Sequence, residues 1–327
     1  MIITKTPFRI SFCGGGSDIS DFYRLYGGNV VSTSINRYMY ISIHPYFFEN
    51  QTALKYSQTE IVNDIKEIRH SIFKCVLNEM DIKGVEITST ADVPSGTGLG
   101  SSSAFTVGLI HSLYCYKGKY LSKTELAKKA CEVEIEKLGN PIGKQDQYAS
   151  ACGGLNFITF HQDDSVSVEP IIIRPETLQE LQDNIVVVYT GLTHDANLIL
   201  TEQKKNSLKE EKAKNLLRMC ELAKDMKISL ESNDLSNFGK MLDEGWQRKK
   251  ELANGIVNSS IENLYNIAIE NGASGGKLLG AGGGGFLLFY CEKQKQKKLL
   301  EKINLKQFPV RFEHDGTSVV YIGDKYW

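Results

Sequence analysis

VPSGTGLGSSSA, residues 93–104, is the stretch that says most about the fold of this chain. It follows a strand-like run, VEITSTA at 85–91, and leads into an apolar, helix-like run, AFTVGLIHSLY at 104–114. A helix that begins after a glycine-rich loop presents unpaired backbone N–H groups and the positive end of its macrodipole. The order strand, loop, helix therefore predicts an anion site at the start of the helix.

The glycines and serines of this loop suit a polyphosphate. Gly96, Gly98 and Gly100 carry no side chain that would keep a phosphate from the backbone, and Ser101–Ser103 offer hydroxyls for phosphate oxygen or Mg²⁺. A plain turn with a serine N-cap would explain one serine and one glycine but not three of each. The loop lacks the GK[ST] ending of a Walker A motif and does not fit GxGxxG. Since protein-kinase HRD and DFG elements are also missing, a nucleotide bound here indicates another family.

Two carboxylates in EVEIEKLGNPIGKQDQYAS, residues 132–150, form the second signal. Glu134 lies on a predicted helix and Asp146 follows a Gly/Pro turn, so both side chains can return to one site. One carboxylate would hold Mg²⁺ while the other accepts a proton from a hydroxyl, as phosphoryl transfer requires. Carboxylates on a charged helix are usually solvated, but the small, apolar run after Asp146 favours a functional role.

Two further glycine clusters flank these motifs. PFRISFCGGGSD, residues 7–18, places an arginine on a strand before three glycines, Ser17 and Asp18, which suits a polyol pocket, although a hairpin turn explains it equally well. KLLGAGGGGFLL, residues 277–288, precedes an apolar strand and would let the backbone approach a phosphate. A tight loop packed against another backbone is the competing interpretation of this third cluster.

The bulk composition narrows the class of protein. The chain has 327 residues, 41% of them apolar, and a net charge of −1, so it lacks the basic character of a general nucleic-acid binder. The seven cysteines are scattered and never form CxxC, which favours reduced thiols over disulfides or a zinc site. Residues 1–18 lack the apolar core typical of a signal peptide, and no apolar run approaches about 20 residues. We expect a soluble, cytoplasmic protein with no membrane partner.

The length predicts about two domains, and the change after Pro175 from mixed strands and helices to long charged helices divides this α+β protein as 1–178 and 179–327. The first half has a helix over 61–80 and a second helix that begins with a capping box at Ser122 and Glu125 and ends at Leu138. Its strands are at 2–13, 29–46, 85–91, 155–160 and 166–173. The second half begins with a strand at 185–190 and has charged helices at 195–231, 235–253 and 260–271. The second half ends with a glycine-rich turn, the strand GFLLFYC, a helix at 292–303 and strands at 309–313 and 317–322.

The four motifs, in this order, resemble the GHMP kinase superfamily from Pro7 to Phe286. Within it, the GGGSD start, GKQDQYAS and KLLGAGGGGF are most similar to the D-glycero-D-manno-heptose 7-phosphate kinases. The resemblance implies a two-domain fold, ribosomal-protein-like and then ferredoxin-like, with ATP and Mg²⁺ between the domains. It also implies phosphorylation of the anomeric hydroxyl of a sugar phosphate, giving a 1,7-bisphosphate for GDP-heptose and surface lipopolysaccharide or capsule.

The resemblance assigns roles to individual residues. Asp146 matches the catalytic Asp that accepts the proton of the C1 hydroxyl, and Arg9 matches the Arg near it and the transferring phosphate. Ser102 and Glu134 match the magnesium ligands. The loop would bind ATP through Pro94, Gly96, Gly98, Leu99, Gly100, Ser101, Ser102 and Ser103. The substrate would contact Gly15, Gly16, Ser17, Asp18, Gly282, Gly283 and Gly284.

Some features leave the substrate and the class of protein open. Galactokinases carry Glu and His where this chain has Gly15 and Gly16, which argues against galactose, whereas the fucose kinase branch has a similar start. A non-catalytic nucleotide- or sugar-binding regulator, a protein that interacts through basic surface runs and a homodimer stay open. A substrate phosphate needs a cation, and the candidates, each also explicable as an ordinary surface charge, are Lys5, Arg37, Lys144, Arg174 and His194.

Overall fold

Two β-sheets and the helices packed on them make up residues 1–192 and 196–323, the part of the chain described by the computed structural model. The strands are β1 (Ile2–Cys13), β2 (Gly28–Pro45), β3 (Thr52–Lys55), β4 (Thr59–Val62), β5 (Val85–Ala91), β6 (Leu155–Phe160), β7 (Val166–Pro170), β8 (Ile185–Tyr189), β9 (Ala273–Leu278), β10 (Phe286–Cys291) and β11 (Ser318–Ile322). The helices are α1 (Ser20–Tyr26), α2 (Ser71–Met80), α3 (Ser101–Tyr116), α4 (Lys123–Cys131), α5 (Gln145–Cys152), α6 (Pro175–Asp183), α7 (Ala196–Asn206), α8 (Glu210–Glu231), α9 (Phe238–Lys250), α10 (Ser259–Glu270) and α11 (Lys293–Ile303). A 3₁₀ turn, Ile65–Glu67, precedes α2, and a π-helical turn, Glu132–Lys137, continues α4.

The long strand β2 organises the larger sheet. It pairs with β1 along one side and, on the other side, with β6 through its first half and β5 through its second half. Strand β3 lies parallel to β5, whereas β4, β7 and β11 pair antiparallel with β3, β6 and β1. The first eight residues of β2 are all buried, while buried and half-buried residues alternate over most of its second half. The sheet is therefore enclosed around the first half of β2 and more open beyond it.

Helix α3 crosses the larger sheet with little exposed surface. Its residues from Ser103 to Ile110 are all buried, as expected of a helix enclosed in a core. Gly108 allows close approach to β1, because a Cβ there would come within 2.8 Å of the Thr6 hydroxyl oxygen. The backbone N–H of Arg9 donates to the carbonyl of Leu99 at 3.1 Å. These contacts hold the start of α3 beside Arg9.

The smaller sheet has its own core, and α8 joins it to the larger one. Strand β10 lies between β8 and β9 and is antiparallel to both. Tyr265 of α10 contacts the rings of Trp246 of α9 and Phe289 of β10. Helix α8 contributes Leu216 to this core and Met226 to the core of the larger sheet. One continuous helix thus fixes the two halves of the chain against each other.

The C-terminal strand leaves the second half of the chain and extends the larger sheet. Strand β11 pairs with β1, with Ile2 opposite Ile322, so the edge of β1 is covered. Just before it, the hydroxyls of Thr317 and Thr6 are hydrogen-bonded at 2.8 Å. The division predicted at 178/179 therefore does not describe this strand, and residue 178 itself lies inside α6.

The mixed helix and strand content confirms the predicted α+β class. The strands predicted at 2–13, 85–91 and 155–160 have those bounds, and the capping box at Ser122 and Glu125 is present. None of the described helices is long and apolar enough to cross a bilayer.

Two predicted elements are wrong, and one strand was not predicted. The helix predicted over 61–80 begins only at Ser71, because Ile61 lies on β4 and the apolar spacing spans a strand, a 3₁₀ turn and a helix in succession. The segment 309–313 makes only an isolated bridge, between Ile35 and Phe312. The glycine-rich turn predicted before GFLLFYC is present at 279–285, but β9, which precedes it and whose glycines pack against α9 and β10, was not predicted.

Candidate active site

Three glycine-rich loops meet at a cavity of about 360 Å³. They are the loop after β1, the loop before α3 and the loop after β9, so both halves of the chain contribute walls. The charged side chains that line the cavity are Arg9, Asp18, Asp146, Lys249 and Lys277.

The loop before α3 ends in a geometry suited to an anion. Gly100 is the N-cap of α3 and adopts the left-handed conformation, with φ 76° and ψ 28°, so no side chain caps the helix. The first N–H groups of such a helix have no intrahelical partner, and its dipole favours negative charge. All three loop glycines and Ser101–Ser103 line the cavity. The structure thus brings together most of the predicted nucleotide contacts.

Pro94 and Leu99, also predicted to contact the nucleotide, do not line the cavity. Leu99 is fully buried in the core, and the Pro94 carbonyl accepts a hydrogen bond from the Thr97 hydroxyl at 2.9 Å. Gly98 has φ 87°, and a Cβ there would overlap the carbonyl oxygen of Leu279. Pro94 and Leu99 therefore shape the loop, and Gly98 also lets it pack against the loop after β9.

Arg9 and Asp146 form a bidentate ion pair on the cavity wall. Arg9 donates from Nε to Oδ1 and from Nη2 to Oδ2, both at 2.7 Å, and from Nη1 to the Gly98 carbonyl at 2.6 Å. Asp146 lies in the first turn of α5, where Gln145 Nε2 donates to Oδ1 at 3.0 Å. The arginine side chain is 6% exposed and the aspartate 26%, so the carboxylate is the member open to a ligand. Such a carboxylate can accept a hydrogen bond, and then a proton, from a hydroxyl.

Glu134 is buried beneath the start of α3. It belongs to the π-helical turn after α4, a feature that is frequent at functional sites. Its Oε1 accepts from the Ser102 hydroxyl at 2.8 Å, and its Oε2 accepts from Gln147 Nε2 at 2.7 Å. Burial raises the pKa of the Glu134 carboxyl, and the hydrogen bonds from Gln147 and Ser102 oppose that rise.

Ser102 lines the cavity, whereas Glu134 lies behind it and does not, and together they offer oxygen ligands of the kind that a magnesium site uses. Hydroxyl and carboxylate oxygens are the hard ligands that Mg²⁺ prefers, and Mg²⁺ is commonly held by one or two carboxylates together with substrate phosphates. Among the described residues, no three or more His, Cys, Asp or Glu side chains are grouped to hold a metal by themselves. A magnesium ion bound here therefore needs oxygens from the nucleotide.

Asp18 anchors the loop after β1. Its Oδ1 accepts from the backbone N–H of Gly16 at 2.9 Å, and its Oδ2 accepts from that of Gln145 at 3.1 Å. Burial raises the pKa of the Asp18 carboxyl, and the nearby charge of Asp146 adds to the rise. Gly15, Gly16 and Asp18 line the cavity, but Ser17 is fully buried and its hydroxyl donates to the Asn29 carbonyl at 3.2 Å. The position of Ser17 thus indicates a structural contact and not a ligand contact.

The third glycine cluster contributes only its first residues to the cavity. Gly280 and Ala281 line it, whereas Gly282, Gly283 and Gly284 do not. Gly283 donates its N–H to the Ile256 carbonyl at 2.9 Å, and Cβ atoms at 282 and 284 would overlap neighbouring backbone. The interpretation of this segment as a tight loop packed against other backbone therefore describes 282–284.

Two lysines that the sequence did not single out lie in the cavity wall. Lys249, near the end of α9, is 6% exposed, and Lys277, on β9, is 4% exposed. Lys249 Nζ donates to the Gly280 carbonyl, and Lys277 Nζ donates to the Phe12 carbonyl at 3.0 Å. Burial lowers the pKa of Lys249 to about 7 and that of Lys277 to about 8.

The cations proposed from the sequence lie elsewhere. Lys5 pairs with Glu313 at 3.8 Å, and Lys144 Nζ is 3.4 Å from Asp164. Neither of these, nor Arg37 or Arg174, lines the cavity, and His194 lies outside the described residues.

Two protein-family models match this chain, and each matched range contains part of the site. Residues 65–154 match the model of the GHMP kinases N terminal domain, and residues 226–309 match the model GHMP kinases C terminal. The first range contains the loop before α3, Glu134 and Asp146, and the second contains Lys249, Lys277 and the loop after β9.

Individual relatives resemble almost the whole chain. The D-glycero-alpha-D-manno-heptose 7-phosphate kinase of Campylobacter jejuni subsp. jejuni serotype O:2 is 33% identical over 94% of this chain and 94% of its own length. A crystal structure named a D-glycero-D-manno-heptose 1-phosphate kinase, from Bacteroides thetaiotaomicron, superposes with a TM-score of 0.81 and 25% identity, covering 99% of this chain and 100% of that one. A putative sugar kinase from Campylobacter jejuni superposes with a TM-score of 0.77 and 29% identity, covering 98% of each chain.

Proposed function

Because the chain belongs to the GHMP kinase family and is an ATP-dependent sugar kinase, we propose that its substrate is D-glycero-D-manno-heptose 7-phosphate. The reaction is transfer of the γ-phosphoryl group of ATP to the anomeric hydroxyl, which gives the 1,7-bisphosphate. A product of this kind would enter the synthesis of GDP-heptose for surface polysaccharide. The Arg9–Asp146 pair beside the start of α3 is the observation that carries the reaction type, and the 33% identical relative supports the choice of sugar.

Asp146 acts on the acceptor hydroxyl. Its carboxylate is held in place by both ends of the Arg9 guanidinium fork, yet the side chain remains partly open to the cavity. A positioned carboxylate that accepts the hydroxyl proton raises the nucleophilicity of the attacking oxygen. Asp146 therefore orients the anomeric hydroxyl and accepts its proton as the phosphoryl group transfers.

Arg9 and the start of α3 stabilise negative charge. ATP supplies the phosphoryl group, and Ser102 and Glu134 would hold a Mg²⁺ ion whose charge would offset that of the phosphates. Arg9 is fixed by its bonds to Asp146 and to the Gly98 carbonyl, so its cation needs no rearrangement during transfer. Preorganised charge of this kind is a large part of phosphoryl-transfer catalysis.

Asp18 would bind the sugar. Its backbone partners, Gly16 and Gln145, fix the carboxylate next to the first residue of α5, one position before Asp146. A carboxylate accepts hydrogen bonds from sugar hydroxyls, and Gly15 adds no side chain to the cavity next to it. Asp18 thereby places the sugar against the group that receives its proton.

A coupled assay of ADP production tests the proposal. The purified protein is given ATP, Mg²⁺ and, in parallel, D-glycero-D-manno-heptose 7-phosphate, free heptose, mannose 6-phosphate and fucose. We expect the highest kcat/KM with heptose 7-phosphate. A higher kcat/KM with any other sugar refutes the substrate, and ATP binding without turnover of any sugar refutes catalysis in favour of a binding protein.

A further inference from the structure

Lys249 and Lys277 are buried cations that have no acidic partner in the described part of the chain. Among the described residues neither makes an ion pair, and the hydrogen bonds found for them go to the carbonyls of Gly280 and Phe12. An ammonium group has three donors, and burying its charge without a counter-ion is costly. Two such groups in one cavity wall indicate that an anion completes the site.

The other charges of the cavity do not neutralise the two lysines. Arg9 and Asp146 are matched to each other at 2.7 Å. Of the described residues, Asp18 is the one remaining carboxylate in the lining, and it accepts hydrogen bonds from two backbone N–H groups. With Arg9 and Asp146 paired, the two lysines are offset by one carboxylate, which leaves an excess of positive charge for a ligand.

From this arrangement we propose that Lys249 and Lys277 bind the phosphate that the sugar already carries, and so select a phosphorylated sugar over a free one. This inference rests on the proposed function, since it concerns the substrate of the same site. The phosphates of ATP are assigned to other groups, namely the N-terminus of α3 and a Mg²⁺ ion that Ser102 and Glu134 would hold. Lys277 reaches Phe12, directly before the loop that holds Asp18, on the side assigned to the sugar.

Lys249 is the one of three consecutive basic residues of α9 that lines the cavity. It lies between two other basic residues of α9, Arg248 and Lys250. Arg248 pairs with Glu244 at 3.0 Å and Lys250 with Glu262 at 2.9 Å, so both have acidic partners outside the cavity. Lys250 is therefore a matched control, because it has the same charge, on the same turn of the same helix, without access to the cavity.

The test compares Lys249→Met, Lys277→Met and the control Lys250→Met. Steady-state KM is measured for heptose 7-phosphate and for ATP, and thermal melting checks that each variant is folded. Losing one charge-assisted contact costs about a factor of 10–100, so we expect KM for heptose 7-phosphate to rise at least tenfold in the two cavity variants. We expect KM for ATP to change less than threefold, and the control to match the wild type.

In the two cavity variants, the inference is overturned by an unchanged KM for heptose 7-phosphate, or by a KM for ATP that rises as much as that for the sugar. The latter would assign the lysines to the nucleotide.

Failure of the proposed function gives a different result, because the wild type then does not turn over heptose 7-phosphate. The same variants are then tested with the phosphorylated sugar of the panel that the wild type does use, and a wild type that uses only unphosphorylated sugars overturns the inference as well. Isothermal titration of the wild type, without ATP, adds a direct measurement: heptose 7-phosphate must bind at least tenfold more tightly than free heptose.

Discussion

Replacing Asp146 by asparagine separates its two predicted contributions, to catalysis and to stability. The amide cannot accept the hydroxyl proton, and loss of a general base typically lowers the rate by about 10²–10⁴. We therefore expect kcat to fall by that factor, measured as ADP production with saturating ATP and heptose 7-phosphate. KM for ATP should stay within a factor of about 3, because the residues assigned to the nucleotide are unchanged.

The same substitution leaves the Arg9 charge without its carboxylate. Removing one partner of a buried ion pair costs about 3–5 kcal/mol, and since Asp146 is 26% exposed and Asn keeps one acceptor oxygen, we expect about 1–3 kcal/mol. At about 2 °C per kcal/mol for a large chain, the melting temperature should fall by about 2–6 °C.

The double variant Arg9→Met with Asp146→Asn distinguishes the two effects. Methionine removes the unpaired charge, so thermal stability should recover relative to Asp146→Asn alone, while kcat should remain low. Turnover of Asp146→Asn within about threefold of the wild type would refute the assignment of the base. A double variant that is less stable than Asp146→Asn would refute the argument from the unpaired charge.

Three further predictions follow from individual contacts. Glu134→Gln keeps the hydrogen bond to Ser102 but loses the charge, so the Mg²⁺ concentration for half-maximal rate should rise about tenfold or more in a magnesium titration; an unchanged requirement excludes Glu134 as a ligand. Gly98→Ala places a Cβ on the carbonyl of Leu279 and should raise KM for ATP at least several-fold. The control Gly139→Ala lies outside the loop and has the same sign of φ, at 68°, but meets no atom within 4 Å; equal KM values in the two variants contradict this packing argument. Because burial lowers the pKa of Lys249 to about 7, its charge is lost as the pH rises above 7, so KM for heptose 7-phosphate should increase between pH 7 and 9. In the unfolded chain Lys249 keeps its proton up to about pH 10.4, so the stability of the ligand-free wild type should rise between pH 7 and 9 and rise less in Lys249→Met. Melting temperatures measured across this pH range test this, and equal slopes of melting temperature against pH in the two proteins contradict the low pKa.

Residues within short motifs could be predicted from the sequence. The loop at 93–104 combines strand, glycines and helix within a few residues, so its position at a helix start follows from local chemistry. Arg9 and Asp146 were assigned through resemblance to a family, and the structure joins them by two hydrogen bonds across the chain. The capping box at Ser122 is likewise local, and its prediction is confirmed.

The two buried lysines could not be found in this way. Arg248, Lys249 and Lys250 look alike in sequence, and such runs are usually solvated faces. Consecutive helical residues point about 100° apart, so one member of the run can face a cavity while its neighbours face solvent. Which member does so depends on the packing of α9 against β9 and on the position of Gly280, both of which are tertiary features.

The helix predicted over 61–80 shows that hydrophobic periodicity can also predict an element that the structure does not have. Apolar spacings of three and four residues ran through β4, a 3₁₀ turn and α2, three elements that share no common axis. Ile61 is 53% exposed, so its apolar side chain does not mark a buried helix face. Periodicity is informative only when one element carries it throughout.

The position of the transferred phosphate tests the central claim most directly. The wild type is incubated with ATP, Mg²⁺ and D-glycero-D-manno-heptose 7-phosphate, and the product is analysed by phosphorus NMR with proton coupling. We predict a new phosphate resonance coupled to the anomeric proton, beside the retained 7-phosphate resonance, with one ADP formed per sugar consumed. A new phosphate on any other carbon, or ADP released without a new sugar phosphate, would contradict the account.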